Sequence, residues 1–378
     1  MIETENLLID CSYLEKTFVS SGSLVIYAAR LIQGFQRYGH CSVCVLLWRE
    51  MEATLDRFAG QEYEKIVLDR DKVPTSWRPF YRLTGFLPRQ LKQELKRRSI
   101  TTVLLPIQLF GIFYFPSPYR HYAIVHDLFL YDNVKKERGK LSYCVWRIYR
   151  GMLTKKFPHL ISISKATHDE LLRRDGIESE IVYNSIPFDF TTPEQPIEAA
   201  LEKRYILDVN RFHPDKNTET LIRAFDLLKN SIHHILYLKG DHKCEKERKE
   251  LEKLADDLGL GDRVVFDHNF RTEGEMRYLY SHADLFVSPS LKEGFGWTPI
   301  EAAILKTPVL VSDIEVLKEV TCGKIPTFDP HSPDDLAEHI QEILDNPPGE
   351  RERTELADFF LDKYSLKNQI AQLEAIIY

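Results

Sequence analysis

The chain has 378 residues, 43% hydrophobic and 28% charged, with a formal net charge of −7. That length exceeds what one hydrophobic core usually organises, so two domains are expected, and the composition excludes a disordered or fibrous protein. Six scattered cysteines do not make a disulfide scaffold, and reduced thiols are expected of them.

The charge is uneven. Residues 1–190 carry 27 Lys and Arg against 21 Asp and Glu, and the remainder carries 23 against 36. The amino terminus is acidic from its third residue and lacks a basic region followed by an apolar run, and no segment reaches the ~18 apolar residues of a membrane span. A cytoplasmic protein is expected, with no nucleic-acid partner.

Short apolar strands alternate with helix-period segments through both halves, the pattern of parallel sheets covered by helices. In the first half, residues 7–10, 44–48, 65–69, 102–106, 122–127 and 160–164 read as strands, and 24–38 and 166–174 as helices. Cys41 and Cys44 form a CxxC pair, but HCSVCVLLW reads as a buried strand, which suits neither zinc nor redox chemistry. Residues 184–200 hold three prolines and no clear period, and are read as a linker. The rhythm then restarts, with strands at 204–210, 234–240, 263–267, 285–289 and 308–312 and helices at 217–229, 245–258, 272–281 and 298–305. The expected fold is α/β, two doubly wound domains facing across a cleft. Domain boundaries of 1–188 and 201–362 follow, with a C-terminal helix over 363–378 packing back on the first domain. Neither half carries G-x-G-x-x-G after its first strand, which argues against a dinucleotide-dependent dehydrogenase.

The stretch from Ser288 to Asp313, SPSLKEGFGWTPIEAAILKTPVLVSD, reads as strand, Gly-containing loop and helix start. Backbone N–H groups of Gly294, Phe295, Gly296, Trp297 and Thr298 would there face phosphate or sugar oxygens. Glu293 and Glu301 lie eight residues apart, and a carboxylate accepts two hydroxyl donors at once. Thr298 and Glu301 are also spaced as a capping box, so a purely structural Glu301 is the competing reading, whereas Glu293 has no such role. In DVNRFHPDKN, Arg211 and Lys216 share a loop at a strand's carboxyl end and suit a diphosphate, one by its fork and the other as a point charge. His126 follows the strand of YAIVHD, and Gly22 precedes the first helix; each is a weak signal taken singly.

Together these segments resemble the retaining glycosyltransferases of family 4, which have the GT-B fold of two Rossmann-like domains. EGFGWTPIEAA followed by TPVLVSD is similar to that family's E-x(7)-E signature, and DVNRFHPDKN to its Arg and Lys diphosphate loop. The resemblance implies transfer of a hexosyl unit from a UDP-, GDP- or ADP-sugar to an acceptor hydroxyl, without a metal or other cofactor, in cell-surface polysaccharide or glycolipid synthesis. It implies Glu301 on the ribose, Arg211 and Lys216 on the diphosphate, Glu293 with the Gly294–Gly296 backbone on the sugar, and His126 near the reacting centre. Gly22 would approach the donor or acceptor. Departures are Ser21-Gly22 where the family has Gly-Gly, and Trp297-Thr298 where it has Leu-Pro.

Two rival readings share the architecture: a sugar phosphorylase or nucleotide-sugar epimerase, and a non-catalytic nucleotide-sugar binding protein. Asp69 and Asp71 form a D-x-D, but Arg70 and Lys72 beside them favour a solvated turn over a metal site. Two basic stretches, 70–98 with Trp77, Phe80, Tyr81 and Phe86, and 135–156 with Tyr143, Trp146 and Tyr149, suit an anionic membrane surface or a lipid-linked glycan acceptor as well as plain solvated faces. Peripheral contact with the inner face of the membrane is the corresponding expectation.

Overall fold

A computed structural model describes residues 6–14, 23–69, 89–107, 118–128, 159–186, 192–197, 203–241 and 244–378. The chain divides into two compact units, Met1–Pro187 with Leu366–Tyr378, and Phe188–Ser365.

The first unit is built on strands β1 (Asn6–Asp10), β2 (Ser42–Trp48), β3 (Glu64–Leu68), β4 (Ile100–Leu105), β5 (Arg120–Val125), β6 (His159–Ser162) and β7 (Glu180–Ile181). Every pairing is parallel, in the order β3-β2-β1-β4-β5-β6-β7. Leu7–Ile9, Val45–Leu47 and Val103–Leu105 are fully buried, the continuous apolar runs of a sheet covered on both faces. Among the described residues, helices α1 (Ser23–Tyr38), α2 (Arg49–Ala59), α3 (Arg89–Arg97) and α4 (Lys165–Asp175) accompany them, with one more from the carboxyl end. α4 begins at Ser164, whose Oγ accepts from Thr167 N, and ends at Gly176 in the left-handed region. α2 and α3 were not expected. Each is rich in charged residues and buries a thin stripe, Met51, Leu55 and Ala59 in one and Leu91 and Leu95 in the other, too sparse to stand out as a period.

The second unit repeats the plan with β8 (Tyr205–Val209), β9 (Ile235–Lys239), β10 (Val264–Asp267), β11 (Leu285–Ser288), β12 (Val309–Ser312) and β13 (Thr327–Phe328), all parallel, in the order β10-β9-β8-β11-β12-β13. Its helices are α5 (Thr218–Leu228), α6 (Glu245–Asp257), α7 (Glu273–Ser281), α8 (Trp297–Ile304), α9 (Glu315–Val320), α10 (Pro333–Asp345) and α11 (Glu350–Lys363). Ile206, Leu236, Leu238, Leu285 and Leu310 of the sheet pack with Leu221 and Phe225 of α5 and with Leu336 and Ile340 of α10. Strand order reverses direction between β1 and β4 in one unit and between β8 and β11 in the other. Crevices at the carboxyl ends of strands open at such points in doubly wound sheets.

The last helix, α12 (Leu366–Ile377), belongs to the first unit. It lies against α1 at Gly34, where a β-carbon would come within 2.7 Å of Ile370. Glu374 adds two contacts at the end of α1, accepting from His40 N at 2.6 Å and meeting its Nδ1 at 2.8 Å. Parts of the expected linker are packed on their own units. Asn184, Ser185 and Ile186 are buried, with Arg30 donating to Ile186 O at 3.1 Å, and Gln195 N donates to Gly274 O at 3.0 Å. No helix among the described residues is long and apolar enough to cross a membrane.

Candidate active site

At the second unit's switch point two loops leave adjacent strands and are stitched together. The first leaves β8 through Asn210 and Arg211, makes a 3₁₀ turn at Pro214–Lys216, and enters α5 through Asn217 in the left-handed region (φ 57°). The second leaves β11 and runs through Ser290 and Glu293 to α8. Leu291 N donates to Asp215 O at 2.8 Å, and the Asn217 amide donates to Pro289 O at 3.0 Å and to Pro330 O at 2.7 Å.

These backbone ties bring Lys216 and Glu293 into an ion pair of 2.5 Å, with side chains only 15% and 11% exposed. Ser290 Oγ donates to the same Glu293 oxygen at 2.8 Å. The other Glu293 oxygen carries no hydrogen bond among the described residues. Arg211, five residues before Lys216, is exposed and makes no ion pair among the described residues. One cation is thus held by a carboxylate, and a second is exposed in the same loop.

Beyond Glu293 the backbone turns at Gly296, at φ 91° and ψ 61°. A β-carbon there would lie 2.6 Å from Leu317 Cδ2, so both conformation and space demand glycine. Phe295 anchors the turn from inside, edge-on to Tyr364 at 5.4 Å. Gly296 is the N-cap of α8, and Trp297 and Thr298 are its first two residues, so the helix begins one residue earlier than expected. N–H groups of a helix's first turn have no intrahelical partner, and the helix dipole favours an anion before them.

The capping-box reading of Glu301 is overturned. With the cap at Gly296, Glu301 is the fifth helical residue, beyond reach of the cap, and α8 has no side-chain cap bond. The capping box of this unit lies elsewhere, between Thr272 and Glu275 at the start of α7. Glu301 is instead 7% exposed and accepts from Tyr280 OH at 2.8 Å, with Tyr280 O in turn receiving Thr307 Oγ1 at 2.5 Å. Burial pushes its carboxyl up to about 7, the Tyr280 hydroxyl pulling the other way.

His126 lies just past β5 in the first unit, Nε2 2.9 Å from Pro106 O and its ring edge-on to Tyr27 at 4.5 Å between centroids. Burial holds the imidazole at about 4, so it is neutral at pH 7. Because a carbonyl only accepts, Nε2 carries the proton and Nδ1 is left as an acceptor. Gly22 lies outside the described residues, as do Asp71 and the aromatic members of both basic stretches. Asp69 pairs with Arg49, and burial pushes the Cys44 thiol up to about 11, which leaves it inert at neutral pH.

Sequence reading passed over Asp208, Ser290 and Asn217. Asp208 carried a usable signal, a carboxylate at the end of an otherwise apolar strand. The two others are ordinary turn residues until their partners are known.

The model for glycosyl transferases group 1 matches residues 189–357, and that for glycosyltransferase family 4 matches residues 24–190. The chain belongs to the family 4-like glycosyltransferases. Among curated relatives of this glycosyltransferase, the O-antigen chain mannosyltransferase RfbU of Salmonella typhimurium is 32% identical over 52% of the chain and 53% of that protein. The serotype-specific mannosyltransferase WbdA of Escherichia coli is 26% identical over 60% of the chain and 29% of that protein. The chain therefore spans about half the length of the first relative and under a third of the second in these matches. Solved structures share the fold over nearly the whole chain. Sucrose-phosphate synthase from Thermosynechococcus elongatus superposes with a TM-score of 0.68 at 17% identity, covering 98% of both chains. HepE of Anabaena, solved with UDP and glucose, gives 0.69 at 14% identity with the same coverage. The two parallel α/β units are those of GT-B glycosyltransferases.

Proposed function

We propose that this glycosyltransferase moves a hexosyl unit, mannosyl in the first instance, from a nucleoside diphosphate sugar to a hydroxyl of a glycan or lipid-linked glycan, with retention at the anomeric carbon. Mannosyl is chosen because RfbU and WbdA are both named mannosyltransferases, and polysaccharide synthesis is the setting that their names supply. The observation that carries the reading is the Lys216–Glu293 pair closed across the switch point, with Arg211 exposed in the same loop and in no ion pair among the described residues.

In this mechanism Arg211 and Lys216 bind the diphosphate and offset the charge that grows on it as the glycosidic bond breaks. Glu293, held by Lys216 and Ser290 on one oxygen, accepts sugar hydroxyls on the other. Backbone N–H groups from Gly294 to Thr298 take sugar or phosphate oxygens, and Glu301, held by Tyr280, takes the ribose hydroxyls. The acceptor oxygen attacks the face that the diphosphate leaves, and its proton passes to the departing phosphate oxygen. Neutral His126, in the first unit, offers Nδ1 as a hydrogen-bond acceptor for a sugar hydroxyl. Both cations belong to the protein, so a chelator is expected to leave the rate unchanged.

The test is transfer from radiolabelled GDP-, UDP- and ADP-sugars with and without glycan acceptor, the product's anomeric configuration being read by NMR. Arg211→Ala is expected to lower kcat/KM by roughly 10²–10³ at an unchanged Tm. A near-normal rate would sink the assignment, and donor cleavage by orthophosphate in place of an acceptor would favour a phosphorylase. Vesicle flotation that ignores anionic lipid would remove membrane contact from the proposal.

A further inference from the structure

The loop that carries Arg211 and Lys216 is held at its base by one buried carboxylate. Asp208, in β8, is 2% exposed. Its Oδ1 accepts from Asn210 Nδ2 at 2.5 Å, where the loop departs, and its Oδ2 accepts from Thr218 Oγ1 at 3.4 Å, where the loop returns into α5. Both ends of the excursion over 209–217 are therefore tied to a single side chain. The rest of β8, Tyr-Ile-Leu before it and Val after it, is apolar, and an unused carboxylate buried there would be a plain cost to the fold.

We infer that Asp208 is a positioning residue for the donor's diphosphate, bracing the 209–217 loop so that Arg211 and Lys216 stand at a fixed spacing. This rests on the donor reading of the 209–217 loop given above. Asp208 also acts through charge. Burial holds its carboxyl up to about 7, with Asn210 and Lys216 pulling it down and Glu293 pushing it up. Tyr280 on α7 is the further titratable group within its field. Protonation removes a negative charge beside Lys216 while keeping both ties, since the protonated oxygen can donate to Thr218 Oγ1. Donor binding accordingly tightens as the pH falls through neutrality.

Two measurements test this. In hydrogen exchange, Asp208→Leu, and Asn210→Ala as the milder cut should Asp208→Leu fail to fold, are expected to speed the amides of 209–217 by about tenfold while the β8–β9 core stays protected. Unchanged exchange in 209–217 overturns the bracing role. In kinetics with a nucleotide sugar, wild-type donor KM is expected to fall about threefold from pH 8 to pH 6 with kcat little changed, and Asp208→Asn to lose that fall, leaving only the pH dependence that Glu301 on the ribose contributes. A variant profile identical to that of the wild type reduces Asp208 to a structural acid and overturns the proposal. A wild type that uses no nucleotide sugar defeats the donor reading instead, and the exchange measurement still decides whether Asp208 braces the loop.

Discussion

Glu301 sits where a carboxylate is costly, in a helix whose residues from Pro299 to Ile304 are all buried, with one tyrosine hydroxyl for company. Its folded-state pKa of about 7 stands above the ordinary value of 4.5. The folded chain therefore binds more protons than the unfolded chain between those limits, and the stability this group contributes, complete below pH 4.5, is lost as the pH rises through 7. Glu301→Gln, which has no proton to lose, is expected to gain on the wild type by about 3 kcal/mol across that window, read as the difference between their denaturant unfolding curves at pH 4.5 and 7.5. Parallel curves would show that Glu301 does not titrate there. Gly296 is the complementary case, where the backbone sets the limit. Gly296→Ala combines a positive φ with a clash against Leu317, and is expected to cost about 2–3 kcal/mol and to abolish donor binding by turning the α8 start. Calorimetry with the nucleotide sugar checks the second half of that statement.

Among elements, loops and charged helices were the hardest to read. The α5 entry loop is irregular by design: a 3₁₀ turn, a left-handed Asn217 whose amide N–H groups donate to Pro289 and Pro330, and a side-chain oxygen that accepts from the Thr220 hydroxyl and caps no backbone N–H. α12 makes the same point by packing. Its Ile370 and Leu366 occupy the space that a side chain at Gly34 would need. Gly34→Leu is expected to displace α12 and to destabilise the first unit by about 2–3 kcal/mol, seen as faster hydrogen exchange in both α1 and α12. Loss confined to α1 would mean that α12 contributes little there.

For the molecule as a whole, each doubly wound unit carries its own proposed residues, His126 in the first and Arg211, Lys216, Glu293 and Glu301 in the second. A donor held by the second unit is expected to protect 209–217 and 290–301 from exchange while leaving the β1–β4 strands of the first unit unchanged, and to raise Tm by mass action. Protection confined to the first unit would overturn the placement of the donor.

Periodicity alone determined the class of fold. Apolar runs four to six residues long recurring between helical periods leave a covered parallel sheet as the way to bury them, and the motif around Glu293 carried the family with it. It placed α8 within one residue and the Arg211–Lys216 loop at a strand's carboxyl end. Tertiary structure decided what each polar side chain is for. The spacing of Thr298 and Glu301 satisfied a capping box on paper, but the cap fell on Gly296, and Tyr280, 21 residues upstream, took the carboxylate. Lys216 met Glu293 across 77 residues, and Asp208 met Thr218 across a loop. Local spacing fixes which face or turn a residue occupies, whereas the partner of a buried charge depends on which distant strand ends the sheet order makes neighbours.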